Sequence, residues 1–243
     1  MMTSDPTGFL RRLIAMSRAA ADLLMPRHCL ICGTRLMGSE EQLCTRCASS
    51  LPRLNDVAAP YDNPTSRRLW GKVEAERVAA GYEYVPHGVV SLLIYKLKYD
   101  SRPEIGEWIG EALASYASEH AFFDGIDAIV PLPLHSSRQK ERGYNQSEMF
   151  ARGLARVTGI AIDASLMRRV RKTMTQTLLA PSQRASNMDG AFDVIFSERA
   201  EGKHLLLVDD ILTSGASAAS GILQLQKAGA DKVSVLTIAR TRL

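Results

Sequence analysis

Two stretches of this 243-residue chain carry residue types whose spacing points to chemistry. The first is Cys29, Cys32, Cys44 and Cys47, two C-x2-C knuckles with eleven residues between them. Two such knuckles can place four thiolates tetrahedrally around one Zn²⁺. Gly33 follows the first knuckle, where a tight turn lets backbone approach sulfur. A segment as short as residues 27–52 buries too little to fold unaided, so it needs a metal or disulfides. Structural zinc is the favoured reading. Two disulfides are disfavoured because nothing marks the chain as secreted, and a redox-active C-x2-C would not require two knuckles. Four thiols close the coordination shell, so such a metal is expected to be structural.

The second stretch is Leu205–Ser217, LLLVDDILTSGAS. A fully apolar run ends in Asp209 and Asp210, and a loop with Thr213, Ser214, Gly215 and Ser217 leads into a helical pattern. A loop entering a helix offers unpaired N–H groups, and the helix dipole favours an anion there. Gly215 lets backbone approach that anion, and the hydroxyls add donors. Carboxylates repel phosphate, so the two aspartates must serve other partners: sugar hydroxyls or Mg²⁺. Phosphate on one side and a vicinal diol on the other describes a ribose 5-phosphate. The chain holds no G-x-x-x-x-G-K-[ST] and no G-x-G-x-x-G after a strand, which excludes a P-loop NTPase and a dinucleotide fold.

The elements that would position these residues read as an α/β chain. Val78–Val85, Ile126–Val130, Leu205–Val208 and Val233–Ala239 read as strands. Val89–Tyr99, Ile105–His120, Gln146–Val157 and Ser217–Ala228 read as helices, the last closed by Gly229. Strand–helix alternation implies a parallel sheet with right-handed crossovers, and ligands then bind at the carboxyl ends of the strands. Pro52, Pro60 and Pro64 mark residues 51–64 as a connector. The expected organisation is an amphipathic helix within residues 1–26, a zinc module over 27–52 and an α/β domain over 65–243. Arg11, Arg12 and Arg18 interrupt the first apolar stretch, so no secretory h-region of about 7–15 apolar residues forms.

Hydrophobic residues make up 46% and charged residues 23%, which excludes a disordered chain or a coiled-coil rod. The formal charge of +4 permits a phosphate-rich ligand without demanding one. No window approaches the roughly 18–20 apolar residues of a membrane span, so a soluble, cytoplasmic protein is expected.

Val208–Ser217 resembles the phosphoribosyl-pyrophosphate (PRPP) motif of type I phosphoribosyltransferases. The rest of the chain from Cys29 resembles one branch of them, the ComF (ComFC-like) family. The features that match are the double C-x2-C, Lys98 in YKLKYD, and PLPLHSSRQKERGYNQ over Pro131–Gln146. Arg171, Thr173, Gln176, Arg184, Asn187 and Gly190-Ala191-Phe192 also match. The resemblance implies a type I phosphoribosyltransferase-like sheet flanked by helices, with a small N-terminal four-cysteine ribbon. It implies that Asp209 and Asp210 hold the ribose hydroxyls, that Thr213, Ser214, Gly215, Ala216 and Ser217 wrap the 5′-phosphate, and that Ile211 and Leu212 between them belong to the PRPP-binding set. Pro131 and Leu132 would belong to the pyrophosphate loop, and Arg171 would sit in a hood loop. Family members often carry Thr-Thr-Gly-Ala-Thr where this chain has Thr213-Ser214-Gly215-Ala216-Ser217, which keeps the hydroxyls.

Lys98 and Arg171 are candidate pyrophosphate contacts, with Lys96, Lys172 and His135 behind them. Arg142 and Asn145 in RGYNQ read either as substrate contacts or as a turn with Asn145 capping a helix. Two functions follow. One is a Mg²⁺-dependent transferase acting on PRPP with an unidentified acceptor. The other is a non-enzymatic DNA-uptake accessory that binds single-stranded DNA or uptake proteins and uses the loop as a ligand sensor.

Overall fold

The computed structural model describes residues 26–170 and 191–242. The expected helix within residues 1–26 therefore lies almost wholly outside the described residues, as do Arg171, Lys172, Thr173, Gln176, Arg184, Asn187 and Gly190. The chain divides into two compact units after Leu51.

In the first unit, the first knuckle is turned by Cys29 N–H on Thr34 O (2.8 Å) and Gly33 N–H on Cys29 O (2.9 Å). Gly33 takes φ +71°, a region that disfavours side-chain-bearing residues. The second knuckle opens a short helix, α1 (Thr45–Ser49), with Cys44 at its N-cap. The Glu40 carboxylate does the capping that Cys44 cannot. It accepts Thr45 N–H (2.6 Å), Thr45 Oγ1–H (2.7 Å) and Met37 N–H (3.0 Å), placing a negative charge at the positive helix end. Leu36 and Leu43 supply the small apolar core beneath the thiols.

The second unit is built on a four-stranded sheet, β1 (Val78–Tyr84), β2 (Ala128–Pro131), β5 (His204–Leu212) and β6 (Lys232–Thr241), in the order β1-β6-β5-β2. Every pairing is parallel. Leu205, Leu206, Leu207 and Val208 are all at most 1% exposed, as a central parallel strand covered on both faces requires. A separate antiparallel pair joins β3 (Met167–Arg169) to β4 (Phe192–Val194). The helices are α2 (Val89–Tyr99), α3 (Glu104–Ser118), α4 (Ser136–Arg142), α5 (Gln146–Thr158) and α6 (Ala216–Lys227). A Cβ on Gly153 would lie 2.0 Å from Glu107 O and one on Gly110 2.4 Å from Phe150 O, so α3 and α5 touch backbone to backbone.

Two expectations need correction. The central strand does not end at the aspartates: the ladder to β6 continues through Asp209↔Thr237, Ile211↔Ala239 and Leu212↔Arg240. Because β6 reaches Thr241, its backbone supplies partners past the point where the apolar pattern stops. Nor is the proline-containing stretch slack chain. Glu83 N–H bonds Pro52 O (3.0 Å), Leu54 N–H bonds Gly81 O (2.8 Å) and Val78 N–H bonds Pro60 O (2.9 Å). Residues 52–60 thus occupy the outer edge of β1, an exposed row of donors and acceptors that would otherwise invite pairing with another chain.

Candidate functional site

At the carboxyl end of β5, Asp209, Ile211, Leu212, Thr213, Gly215 and Ser217 line an open pocket, completed by Ala218 and by Thr237 of β6. The floor comes from strands and the rim from the turn into α6. Gly215 is the N-cap of that helix at φ +79°. A Cβ there would lie 2.9 Å from Leu69 Cδ2 and 3.3 Å from Arg68 O, so glycine is required for backbone angle and for space alike. The first turn of α6 leaves its N–H groups without partners inside the helix. Ser214 Oγ is buried and has no hydrogen-bond partner among the described residues. The first-turn amides, with the Thr213 and Ser217 hydroxyls on the pocket wall, are a donor set suited to an anion.

The two aspartates have different environments. Asp209 Oδ1 accepts Ser147 Oγ–H (2.9 Å) and Asp210 N–H (2.8 Å). Its pKa is pushed up to about 7, first by loss of solvent around the carboxyl and second by the Asp210 charge, although part of the residue still faces the pocket. Asp210 instead forms an ion pair with Lys98 (Nζ–Oδ2 2.7 Å). Lys98, a candidate pyrophosphate contact on α2, is thus held against the Asp210 carboxylate of β5.

Asn145 and Arg142 do not line the pocket. Asn145 caps α5, accepting Ser147 N–H (3.1 Å) and donating to Leu132 O (3.0 Å). It ties the Pro131-Leu132 turn, itself held by Leu132 N–H on Val208 O (2.9 Å), to the helix turn whose Ser147 grips Asp209. Asn145 therefore acts on the site by placing its neighbours. Arg142 donates to Gln146 Oε1 (2.9 Å) and stacks over Tyr99 (5.1 Å). His135 caps α4 through Nδ1, and Lys96 pairs with Asp100 (3.2 Å).

Sequence reasoning missed Ser147, Thr237, Arg138 and Arg169. Arg169 feels the Asp209 charge, which counteracts the lowering caused chiefly by burial and secondarily by Arg138. The dense Arg168-Arg169-Val170-Arg171 run was the available signal. Ser147 carried none, because only the docking of α5 against β5 brings it to Asp209.

In the first unit the four Sγ atoms lie within 4.8 Å of one another, with Cys32 and Cys44 Sγ at 3.7 Å. A tetrahedral Zn²⁺ with bonds of about 2.3 Å needs sulfurs about 3.8 Å apart, so the donor set fits. All four thiols are free of disulfides. Burial and the three neighbouring thiols push Cys47 up to about 12, whereas the Thr34 hydroxyl and N–H help bring Cys32 down to about 6. Such crowding of thiols is what a bound cation would relieve.

Residues 20–59 match the double zinc ribbon domain. The chain is 31% identical to the DNA utilization protein YhgH of Salmonella typhimurium, over 90% of this chain and 99% of that one. It is also 33% identical to competence protein F of Haemophilus influenzae over 47% of this chain and 50% of that one. The match to competence protein ComFC of Bacillus subtilis is 24% over 93% and 100%.

The chain belongs to the ComF family.

Its N-terminal unit is accordingly a four-cysteine zinc ribbon. Among solved structures, this ComF-family chain is similar to an adenine phosphoribosyltransferase (18% identical, TM-score 0.39, 57% of this chain and 71% of that one). It is also similar to the glutamine PRPP amidotransferase from B. subtilis (21%, TM-score 0.40, 59% and 30%). No helix among the described residues is long and apolar enough to cross a membrane.

Proposed function

We propose that the second unit binds a 5-phosphorylated ribose, PRPP in particular, and transfers its phosphoribosyl group. The observation that carries this reading is one pocket lined both by Asp209 and by Thr213, Gly215 and Ser217 of the turn into α6, with Asp210 next to Asp209 in β5. The Asp209 and Asp210 carboxylates accept hydrogen bonds from the 2′- and 3′-hydroxyls. The amides of residues 214–217 and the hydroxyls of Thr213 and Ser217 donate to the 5′-phosphate. Pro131 and Leu132 form the turn at the end of β2 that borders the C1 side. In the transfer, the bond from C1 to the diphosphate breaks and the diphosphate leaves with the electron pair. An acceptor nucleophile bonds C1 and loses its proton to solvent. Lys98, Arg169 and Arg171 supply the positive charge that the leaving group needs. Mg²⁺ carried with the diphosphate would neutralise part of its charge, and Asp209 and Asp210 are the hard oxygen ligands available to it.

Calorimetric titration with ribose 5-phosphate, and with PRPP in Mg²⁺, tests the reading. A one-to-one isotherm is expected for both. Absence of heat and of any thermal shift at millimolar ligand would overturn it.

A second reading, single-stranded DNA binding, is favoured by one surface feature. Tyr95 and Tyr99 stand exposed on α2 with ring centroids 5.0 Å apart, and the Arg142 guanidinium lies over Tyr99. Aromatic faces with a cation are the means by which bases are stacked without sequence preference. The names of the relatives, DNA utilization and competence proteins, agree with it. Fluorescence anisotropy with a labelled oligonucleotide separates the readings: Tyr99→Ala with Tyr95→Ala should abolish DNA binding and leave ribose 5-phosphate binding intact.

A further inference from the structure

Arg68 lies 144 residues before Leu212, outside any stretch that reads as phosphate-binding, and is only 6% exposed. Its guanidinium donates to Leu212 O (3.0 Å), to Thr213 O and to Thr241 Oγ1 (3.0 Å), and its second Nη donates to Thr241 O. Lys72 Nζ continues the series, donating to Ser214 O and to Arg68 O, each at 2.7 Å. Two cations therefore hold three consecutive carbonyls of the turn between β5 and α6.

This arrangement orients the loop. In a trans peptide the C=O and the following N–H point in opposite directions. With the carbonyls of Thr213 and Ser214 drawn toward Arg68 and Lys72, the N–H groups of Ser214 and Gly215 must face away from those cations. Arg68 donates to neutral oxygens, and no carboxylate among the described residues takes a hydrogen bond from it, so its positive charge stands behind the loop. Thr213, Gly215 and Ser217 of the same loop line the pocket.

The support for Arg68 is itself built of buried polar groups. Asn63 Oδ1 accepts the N–H groups of Thr65 (2.8 Å) and Ser66 (2.9 Å), and its Nδ2 donates to Val78 O (2.8 Å), which anchors the turn to β1. Asp56, 4% exposed, accepts the Thr65 hydroxyl and Ala80 N–H (3.2 Å) and faces Arg240 at 3.9 Å. Leu69, next in the chain, closes on Gly215. Polar groups this deeply buried are costly unless they specify a geometry.

We infer that Arg68 and Lys72 are positioning residues for the phosphate loop: they pin its carbonyls so that the amides of Ser214 and Gly215 are aimed, before any ligand arrives, at a 5′-phosphate. This rests on the reading of residues 213–217 as the phosphate site.

The test compares wild type, Arg68→Met and Lys72→Met by calorimetry with ribose 5-phosphate, well below the melting temperature of each. Circular dichroism checks that each is folded. Arg68→Met should weaken binding by roughly 10- to 100-fold, as expected for misplaced contact groups. Lys72→Met, an exposed residue whose loss removes only two hydrogen bonds, should weaken it roughly 3- to 10-fold. A merely structural role would lower the melting temperature and leave the affinity of the folded protein unchanged. In ¹⁵N spectra the Ser214 and Gly215 amides should shift on ligand addition in wild type and less so in Lys72→Met. Wild-type affinity in both folded variants overturns the inference while leaving the phosphate site standing. Failure of wild type itself to bind overturns the phosphate reading and this inference with it. Should Arg68→Met not fold, Lys72→Met decides alone.

Discussion

The zinc ribbon and the strand-end pocket are assembled by opposite means. The ribbon draws its four donors from nineteen consecutive residues, Cys29 to Cys47. Its geometry needs only two tight turns and one capped helix turn. The pocket draws on β5, the turn into α6 and Thr237, backed by Ser147, Lys98, Arg169 and Arg68. A site assembled from neighbours in sequence depends on its metal to fold. A site assembled across a sheet depends on a core that folds first and then tolerates a few costly groups.

The largest test of that contrast is removal of the metal. Chelation, or Cys44→Ser, should strip zinc from the ribbon and unfold it, because the metal contributes on the order of 10 kcal/mol to modules of this kind. Metal content by mass spectrometry should fall to zero, and retention of zinc would break the comparison. In the pocket no single substitution should do the same. Asp209→Asn with Asp210→Asn should weaken ribose 5-phosphate binding roughly 30-fold or more, through loss of charge-assisted hydrogen bonds, with the sheet intact. Unaltered calorimetric affinity would count against the diol assignment.

Gly215→Ala sharpens the comparison at one atom. The positive φ and the contact with Leu69 should together cost about 1–3 kcal/mol of stability, measurable by urea unfolding, and the displaced amides should bind phosphate less well. Gly33→Ala, at a similar φ but with open space around it, should cost less.

The pH responses are the smallest effects, and two buried groups oppose each other. Asp209 has its folded pKa raised from the ordinary 3.8 to about 7. Stability from its retained proton is full below pH 3.8 and lost as pH rises through about 7. Ribose binding should run the other way, tightening across the same interval as the carboxylate forms. His204 is buried against Ser234 Oγ (2.8 Å), and its pKa is lowered by that burial and by Arg77. Its stability contribution is present above the ordinary 6.5 and lost as pH falls below it. Melting temperature followed against pH should show the acid limb flattened in His204→Gln and the alkaline limb flattened in Asp209→Asn.

Most elements of the sheet were legible because a parallel core strand is a run of apolar residues, as in Leu205–Val208, and its helices repeat at 3.6. The strand's extension through Leu212 was not, since polar residues inside a strand look like its end. Asn145 was legible as a cap and equally as a contact; its bond to Ser147 N–H shows the cap.

By itself the sequence singled out candidate groups that lie close along the chain: the four thiols, the aspartate pair, and the glycine and hydroxyls of the turn. These depend on spacing along the backbone, which covalent geometry translates directly into position. Only the tertiary structure decided that Lys98 faces Asp210, that Ser147 grips Asp209, and that Arg68 and Lys72 stand behind the loop. Those contacts join residues tens to well over a hundred positions apart, and no periodicity records them. They exist because packing of the apolar core brings the ends of separate strands and helices together.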